Sequence, residues 1–202
     1  GQVMVFHDET LDRLTIEGGP INARSAAELT RIPLKGARDT IPTLAKVLKL
    51  VAGQVPLLIE IKDQDGAMGP GVGPQEQAVA GVLAGYTGDV AVMSFNPHSM
   101  FHMARHAPDV PRGLTTSAWD PEDWGLPEGL CSRLRDIPDF DHVGACFISH
   151  EWRDLERPRV QEMVTTGVPV LCWTIRSPEE EAEARRMGAS SVTFEGYLAD
   201  PA

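Results

Sequence analysis

An acidic and a basic side chain stand two residues apart at the end of an apolar run, where they could bind a metal ion and an anion. The run Leu57-Leu58-Ile59 continues into Glu60-Ile61-Lys62. Side chains alternate along a strand, so Glu60 and Lys62 share one face. Apolar residues on both faces predict a buried parallel strand, and active sites of parallel α/β folds lie at the C-terminal strand ends. The alternative is a solvated ion pair where the strand leaves the core.

A second apolar segment also ends in ionisable groups. Residues 3–6 are Val-Met-Val-Phe, and His7 and Asp8 follow them. Histidine titrates near neutral pH and can therefore act as a general acid or base. Two predicted strands that both end in such groups favour a catalytic site over an isolated surface pair.

The elements that would position these groups alternate along almost the whole chain, a pattern typical of a parallel sheet with crossover helices. Seven strands are predicted, over residues 3–6, 57–61, 90–95, 112–115, 143–149, 168–175 and 191–194. Helices are predicted over 44–51, 75–86, 97–106, 157–166 and 178–187. Residues 9–40 and 117–139 break the alternation. The glycine-rich run 69–74 is interrupted by prolines and is interpreted as a loop rather than a nucleotide-binding turn. This favours an eight-stranded barrel without its first strand over an open doubly wound sheet.

Length and composition limit the function classes. The 202 residues are enough for one domain with a sizeable core. A net charge of −11 argues against nucleic acid and anionic lipid as partners. Three cysteines without metal-site spacing indicate reduced thiols and a cytoplasmic protein, and no apolar run is long enough to predict stable membrane insertion. The oligomeric state is left open.

Several motifs resemble the glycerophosphodiester phosphodiesterase family, in an order and spacing that cover nearly the whole chain. They are Phe6-His7-Asp8-Glu9-Thr10-Leu11-Asp12-Arg13-Leu14-Thr15 with Gly18, Ile41-Pro42-Thr43-Leu44 with Val47-Leu48, Glu60-Ile61-Lys62, Ser94-Phe95 and Trp173-Thr174-Ile175. The resemblance implies a TIM-type (β/α)8 barrel with a small insertion after the second strand, which residues 9–40 would form as a cap. It also implies metal-dependent hydrolysis of a glycerophosphodiester, a small-molecule substrate, to glycerol 3-phosphate and an alcohol.

The resemblance further implies roles for individual residues. His7 would be the second of two catalytic histidines, Glu60 a ligand of a divalent cation such as Mg²⁺ or Ca²⁺, and Lys62 a contact of the substrate phosphate. Aromatic side chains at strand ends, Phe95 and Trp173, are expected to shape the floor of the substrate pocket or to pack in the core.

Two further strand-end residues are candidate substrate contacts. His150 and Glu195 follow predicted strands, and for each the alternative is a solvated strand-end residue.

The family's first strand, with His-Arg-Gly, and its Glu-x-Asp segment are not found before His7. At about 30 residues per βα unit, we expect on the order of 40 residues to be missing, with the first catalytic histidine and two metal carboxylates. The 202 residues alone are therefore expected to be inactive. Two alternatives stay open: a related barrel phosphodiesterase acting on lysophospholipid or phosphoinositide headgroups, and a non-catalytic barrel that binds phosphodiesters.

Overall fold

The computed structural model describes residues 1–198, which form two compact units. Unit 1 contains Gly1–Leu57 and Pro74–Asp89, and unit 2 contains Leu58–Gly73 and the residues from Val90 onward. The assignment of the chain to one barrel domain stays a prediction.

Unit 1 has three α-helices and a small apolar cluster. The helices are α1 (Ala26–Leu29), α2 (Leu44–Val51) and α3 (Pro74–Leu83). Ser25 and Glu28 form a capping box at the start of α1, and the Thr43 hydroxyl accepts the Lys46 N–H at the start of α2. Residues 9–40 contribute to a cluster of buried side chains: Leu11, Leu29, Ile32 and Ile41.

The first predicted strand is wrong. Residues 3–6 form a single antiparallel bridge, between Met4 and Thr43, instead of a strand of the sheet. The Val5 N–H donates to the Pro42 carbonyl at 2.9 Å, so the backbone of residues 3–6 pairs with the segment before α2. The alternating apolar residues have another cause, because Met4 and Phe6 pack against the apolar cluster of unit 1.

The remaining six predicted strands form one parallel sheet in which strands adjacent in sequence are also neighbours in space. They are β1 (Leu57–Glu60), β2 (Val90–Ser94), β3 (Arg112–Thr116), β4 (Phe147–Glu151), β5 (Val170–Ile175) and β6 (Ser191–Phe194). The described residues thus give six strands where seven were predicted. Strand β4 begins four residues later than predicted because Val143 belongs to a turn, where its N–H donates to the Asp139 carbonyl.

The described part of unit 2, up to residue 198, contains five α-helices: α4 (Pro97–His106), α5 (Pro121–Trp124), α6 (Glu128–Arg135), α7 (Pro158–Thr165) and α8 (Pro178–Arg186). The predictions for α4, α7 and α8 are confirmed to within one residue at each end. Helices α5 and α6 lie in the segment 117–139, which was predicted to break the alternation of strands and helices. The amphipathic repeat of α6 consists only of Cys131 and Leu134 and is too short to stand out among the prolines, aspartates and tryptophans of that segment. No helix within residues 1–198 has the length and apolar character needed to cross a bilayer.

One face of the sheet is concave. Phe95, directly after β2, and Trp173, in β5, have ring centroids 5.5 Å apart, although β3 and β4 lie between their strands. On the same face, Gly113 leaves room for the Phe147 ring, which a Cβ atom would overlap. We call this the inner face. Every second residue of each strand points to the inner face.

Candidate functional site

Glu60 and Lys62 form a close ion pair at the end of β1. The Lys62 Nζ lies 2.8 Å from the Glu60 Oε1, and both side chains are partly buried. The strand end is fixed from the side, because the Ile61 N–H donates to the Met93 carbonyl and the buried Ser94 hydroxyl donates to the Ile61 carbonyl, each at 2.7 Å. The end of the strand that carries the predicted pair therefore has a defined position.

Glu60 offers one oxygen that a cation could use. Its Oε1 is buried, and the Lys62 ammonium group is its described partner at 2.8 Å. Carboxylate oxygen is the ligand type that Mg²⁺ and Ca²⁺ prefer. Across residues 1–198, however, no three His, Cys, Asp or Glu side chains converge as a metal site. Glu60 thus fits the role of one ligand, and the described residues do not complete a coordination shell around it.

The loop after Lys62 is organised by two carboxylates. Asp63 accepts from three backbone N–H groups of the loop and from the Asn96 side-chain amide at 2.8 Å. Asp65 accepts from the N–H groups of Gly69 and Gly71. Because a carboxylate already binds these glycine N–H groups, they are not available to a phosphate. The interpretation of this run as a loop is confirmed.

His7 lies in unit 1, with its ring exposed and one nitrogen engaged. Its Nδ1 is 2.7 Å from the Asp8 Oδ1, and Arg13 binds the Asp8 carboxylate through both Nε and Nη2. Hydrogen bonds from Arg13 and then from His7 lower the pKa of Asp8 to about 2.

The contact with Asp8 orients the imidazole ring of His7. A carboxylate can only accept, so the His7 Nδ1 carries the proton and donates to Asp8. The Nε2 is then the ring atom that can exchange a proton with a substrate. Sequence reasoning missed Arg13 as the partner of Asp8, although their five-residue separation within one motif was the available signal.

Four aromatic rings form a cluster at the C-terminal ends of the strands in unit 2. The Phe95 centroid lies 4.9 Å from that of Trp124, 5.8 Å from that of Trp119 and 5.5 Å from that of Trp173. Trp119 is buried, whereas the other three rings are half-buried. The two predicted pocket residues, Phe95 and Trp173, are therefore in direct contact, and two tryptophans of the 117–139 segment join them.

Glu151 is a functional candidate that sequence reasoning did not identify. It ends β4 and is the register partner of Trp173 on the inner face. Its Oε2 accepts from the Ser117 hydroxyl at 3.0 Å and from the Ala118 N–H at 3.2 Å. A strand placed two residues further along the sequence would have shown that Glu151, and not only His150, is a strand-end residue.

His150 points to the opposite face and is buried. Its Nδ1 lies 2.8 Å from the Thr116 hydroxyl, and its Nε2 lies 3.2 Å from both the carbonyl and the Oδ2 of Asp154. Burial alone would raise the pKa of Asp154, but hydrogen bonds from His150 and Arg157 outweigh it and the pKa is lowered. Both imidazole nitrogens thus have protein partners, an arrangement that suits a side chain that positions its neighbours. A substrate contact of His150 stays a prediction.

Glu195 follows β6 and is exposed. Its Oε1 lies 2.7 Å from the Arg176 Nη2, in an ion pair between two side chains that are each more than half exposed. Such pairs contribute little to stability. The substrate contact predicted for Glu195 stays a prediction.

Comparisons with known proteins show the family to which the chain belongs. A model of the glycerophosphoryl diester phosphodiesterase family matches residues 1–195. The chain belongs to this family. The predicted resemblance is confirmed, and the family assignment places the chain among the phosphoric diester hydrolases.

Two named relatives have sequences similar to this family member. The Bacillus subtilis protein YhdW, whose name assigns it to the glycerophosphodiester phosphodiesterases, is 23% identical over 201 residues, which are 95% of this chain and 76% of the relative. A glycerophosphodiester phosphodiesterase of Caldanaerobacter subterraneus is 29% identical over 135 residues, which are 62% of this chain and only 54% of the relative.

A solved structure shows the fold of this family member. An Oleispira antarctica phosphodiesterase, determined in complex with the product sn-glycerol-3-phosphate, superposes with a TM-score of 0.75 at 21% identity and covers 95% of this chain and 74% of its own. The predicted α/β barrel class is confirmed, with six strands in the described residues.

Proposed function

We propose that this protein hydrolyses glycerophosphodiesters to glycerol 3-phosphate and an alcohol. The family match supports the reaction class, and the Glu60–Lys62 pair is the observation that carries the proposal. A phosphodiester carries a negative charge in the ground state and gains more in the transition state, so a cationic side chain held at a strand end stabilises it. The product bound to the Oleispira antarctica phosphodiesterase supports the same class of substrate.

His7 is the proposed proton-transfer residue. One P–O bond to the alcohol breaks and a new P–O bond to a water-derived oxygen forms, so one proton leaves the nucleophile and one reaches the leaving alkoxide. The His7 Nε2 can perform one of these transfers, because Asp8 holds the Nδ1 proton and stabilises the imidazolium. Arg13 in turn keeps Asp8 ionised.

Lys62 is the proposed phosphate contact, and Glu60 holds it in place. The Lys62 ammonium group would bind a non-bridging phosphate oxygen. To do so, it must either leave its 2.8 Å contact with Glu60 or contact Glu60 and the phosphate at the same time. Glu60 is also the described group that would hold a divalent cation, and such a cation supplies further charge neutralisation on the phosphate. Phe95 and Trp173 would contact the carbon skeleton of the substrate.

The test is the release of glycerol 3-phosphate by the full-length protein. Glycerophosphocholine, glycerophosphoethanolamine and glycerophosphoglycerol are incubated with Mg²⁺ or Ca²⁺, and the product is measured by ³¹P NMR. We expect product with at least one of them, complete inhibition by chelator and restoration by added cation. The Glu60→Gln variant should be inactive at every cation concentration, and the Glu156→Gln variant, which changes an exposed glutamate, serves as the control. Absence of turnover in the wild type contradicts the proposed reaction, and full turnover in chelator contradicts the cation.

A further inference from the structure

The loop that follows β3 holds a tryptophan in an unfavourable backbone conformation. Trp119 has a φ of +51°, in the left-handed region that residues with a Cβ atom rarely adopt. Its side chain is 1% exposed and is the buried base of the aromatic cluster. Because this conformation costs free energy, contacts on either side of Trp119 must stabilise it.

The Ser117 hydroxyl supplies the contacts on one side of the loop. It accepts from the Trp119 N–H at 3.1 Å and from the Trp124 indole Nε1–H at 3.2 Å. It donates its own proton to the Glu151 Oε2 at 3.0 Å. Ser117 is 2% exposed, so a single buried hydroxyl connects the carboxylate of Glu151 to both tryptophans.

Arg135 supplies the contacts on the other side. Its Nε and Nη2 donate to the carbonyls of Ala118 and Trp119 at 2.8 and 2.7 Å. The same Ala118 donates its N–H to Glu151. The Ala118 N–H and the carbonyls of Ala118 and Trp119 are therefore bound by side chains from β4 and α6.

The consequence of this network is the placement of Trp124. Its ring centroid lies 4.3 Å from that of Trp119 and 4.9 Å from that of Phe95, and Phe95 contacts Trp173 in turn. Phe95, Trp124 and Trp173 are half-buried and thus keep partly accessible surface at the strand ends. We call these three rings the aromatic wall.

We propose that Glu151 is a positioning residue for substrate binding: through Ser117 it holds Trp124 in the aromatic wall, which binds the carbon skeleton of the phosphodiester. The inference rests on the proposed function for the identity of the ligand. Glu151 acts here as a hydrogen-bond acceptor and not through its charge. Since the wall contacts non-reacting parts of the substrate, its loss weakens substrate and transition state alike and raises KM with little change in kcat.

Variants of Glu151 and Ser117 distinguish an effect of the hydrogen bonds of Glu151 from an effect of its charge. In Glu151→Gln, the amide oxygen can still accept from Ser117 and Ala118, whereas Glu151→Ala and Ser117→Ala break the connection. For glycerophosphocholine hydrolysis by the full-length protein, we expect KM to rise roughly tenfold in Glu151→Ala and Ser117→Ala, with kcat within about twofold. We expect Glu151→Gln and the control Glu156→Ala, an exposed glutamate five residues away, to match the wild type.

Circular dichroism gives a readout that does not need turnover. Two indoles 4.3 Å apart give an exciton-coupled signal, which should weaken in Glu151→Ala and Ser117→Ala and persist in Glu151→Gln and the control. Ser117→Ala removes only one oxygen atom, so it tests the network even if Glu151→Ala does not fold.

Three results would overturn the inference. The first is an unchanged KM and exciton signal in Ser117→Ala, and the second is a loss of kcat in Glu151→Ala or Ser117→Ala that equals the rise in KM. The third is a Glu151→Gln variant that is as impaired as Glu151→Ala but keeps the exciton signal, because the effect would then be one of charge. If the wild type releases no glycerol 3-phosphate, the proposed function fails, and the dichroism alone decides whether Glu151 positions the tryptophans.

Discussion

Phe95 and Trp173 meet edge to face at 5.5 Å across the inner face of the sheet, although two strands separate the strands that carry them. The contact links the ends of β2 and β5 and brings two predicted pocket residues together. Trp173 is held further by its indole N–H, which donates to the Ser149 carbonyl at 3.1 Å.

The Phe95–Trp173 contact predicts a measurable coupling energy. A double-mutant cycle with Phe95→Leu and Trp173→Leu should give about 0.5–1.5 kcal/mol of interaction in urea unfolding, the range for aromatic pairs. Phe101 lies in α4 and stacks on His142 instead, so Phe101→Leu combined with Trp173→Leu should give additive effects. Additivity in the first cycle would show that the two rings do not interact in solution.

His7 and its leaving group can be tested together. Loss of a positioned acid or base costs about 10²–10⁴-fold, so His7→Ala should lower kcat by this order with little change in KM. A p-nitrophenyl phosphodiester has a leaving group that needs no protonation. If His7 is the acid, this substrate should largely restore the turnover of His7→Ala. Equal losses on both substrates would indicate that His7 is the base or has a structural role.

Lys62 should respond differently, because it acts through charge. Its ammonium group would bind a phosphate whose negative charge is present in the ground state and increases in the transition state. Lys62→Met should therefore raise KM and lower kcat, with a loss of about 10²-fold or more in kcat/KM. The p-nitrophenyl substrate should not rescue it. A Lys62→Met variant that regains turnover on that substrate would contradict the assignment of charge to Lys62 and protonation to His7.

Asp8 predicts a pH dependence of stability in acid. Its pKa is about 2 in the folded protein against an ordinary value of 3.8, so the folded state binds the proton less readily than the unfolded state. The stabilisation is complete above the unfolded pKa and is lost as the pH falls toward 2. Urea unfolding of the wild type from pH 5 to 2 should therefore lose more free energy than that of Asp8→Asn. Asp89→Asn, at an exposed aspartate of the same unit, should follow the wild type. Parallel curves for the wild type and Asp8→Asn would exclude the Asp8 contribution.

The sequence predicted those parts of the site that depend on local patterns. The placement of Glu60 and Lys62 on one face was predicted from the alternation of side chains along a strand. Helices α4, α7 and α8 begin at proline residues, which mark the first helical turn. Residues 3–6 have the same alternation as a strand, but their partner is the segment before α2, and no local pattern encodes the choice of partner.

The connection between Ser117 and Glu151 could not be predicted from the sequence. The two residues are 34 positions apart and meet because of the register between β3 and β4, in which Thr116 pairs with His150. That register depends on where β4 begins, which differed by four residues from the prediction. His150 was expected near the strand ends, and the structure places it as a buried residue of β4 beside Thr116 and Asp154.

The central claim is hydrolysis at phosphorus, and isotope incorporation tests it most directly. The full-length protein is supplied with a glycerophosphodiester and a divalent cation in water enriched in ¹⁸O; the phosphate product is analysed by ³¹P NMR and the released alcohol by mass spectrometry. We predict that the phosphate of glycerol 3-phosphate carries one ¹⁸O atom and that the released alcohol carries none, because the bond from phosphorus to the alcohol oxygen breaks. Incorporation of ¹⁸O into the alcohol, or no release of glycerol 3-phosphate, would contradict the account.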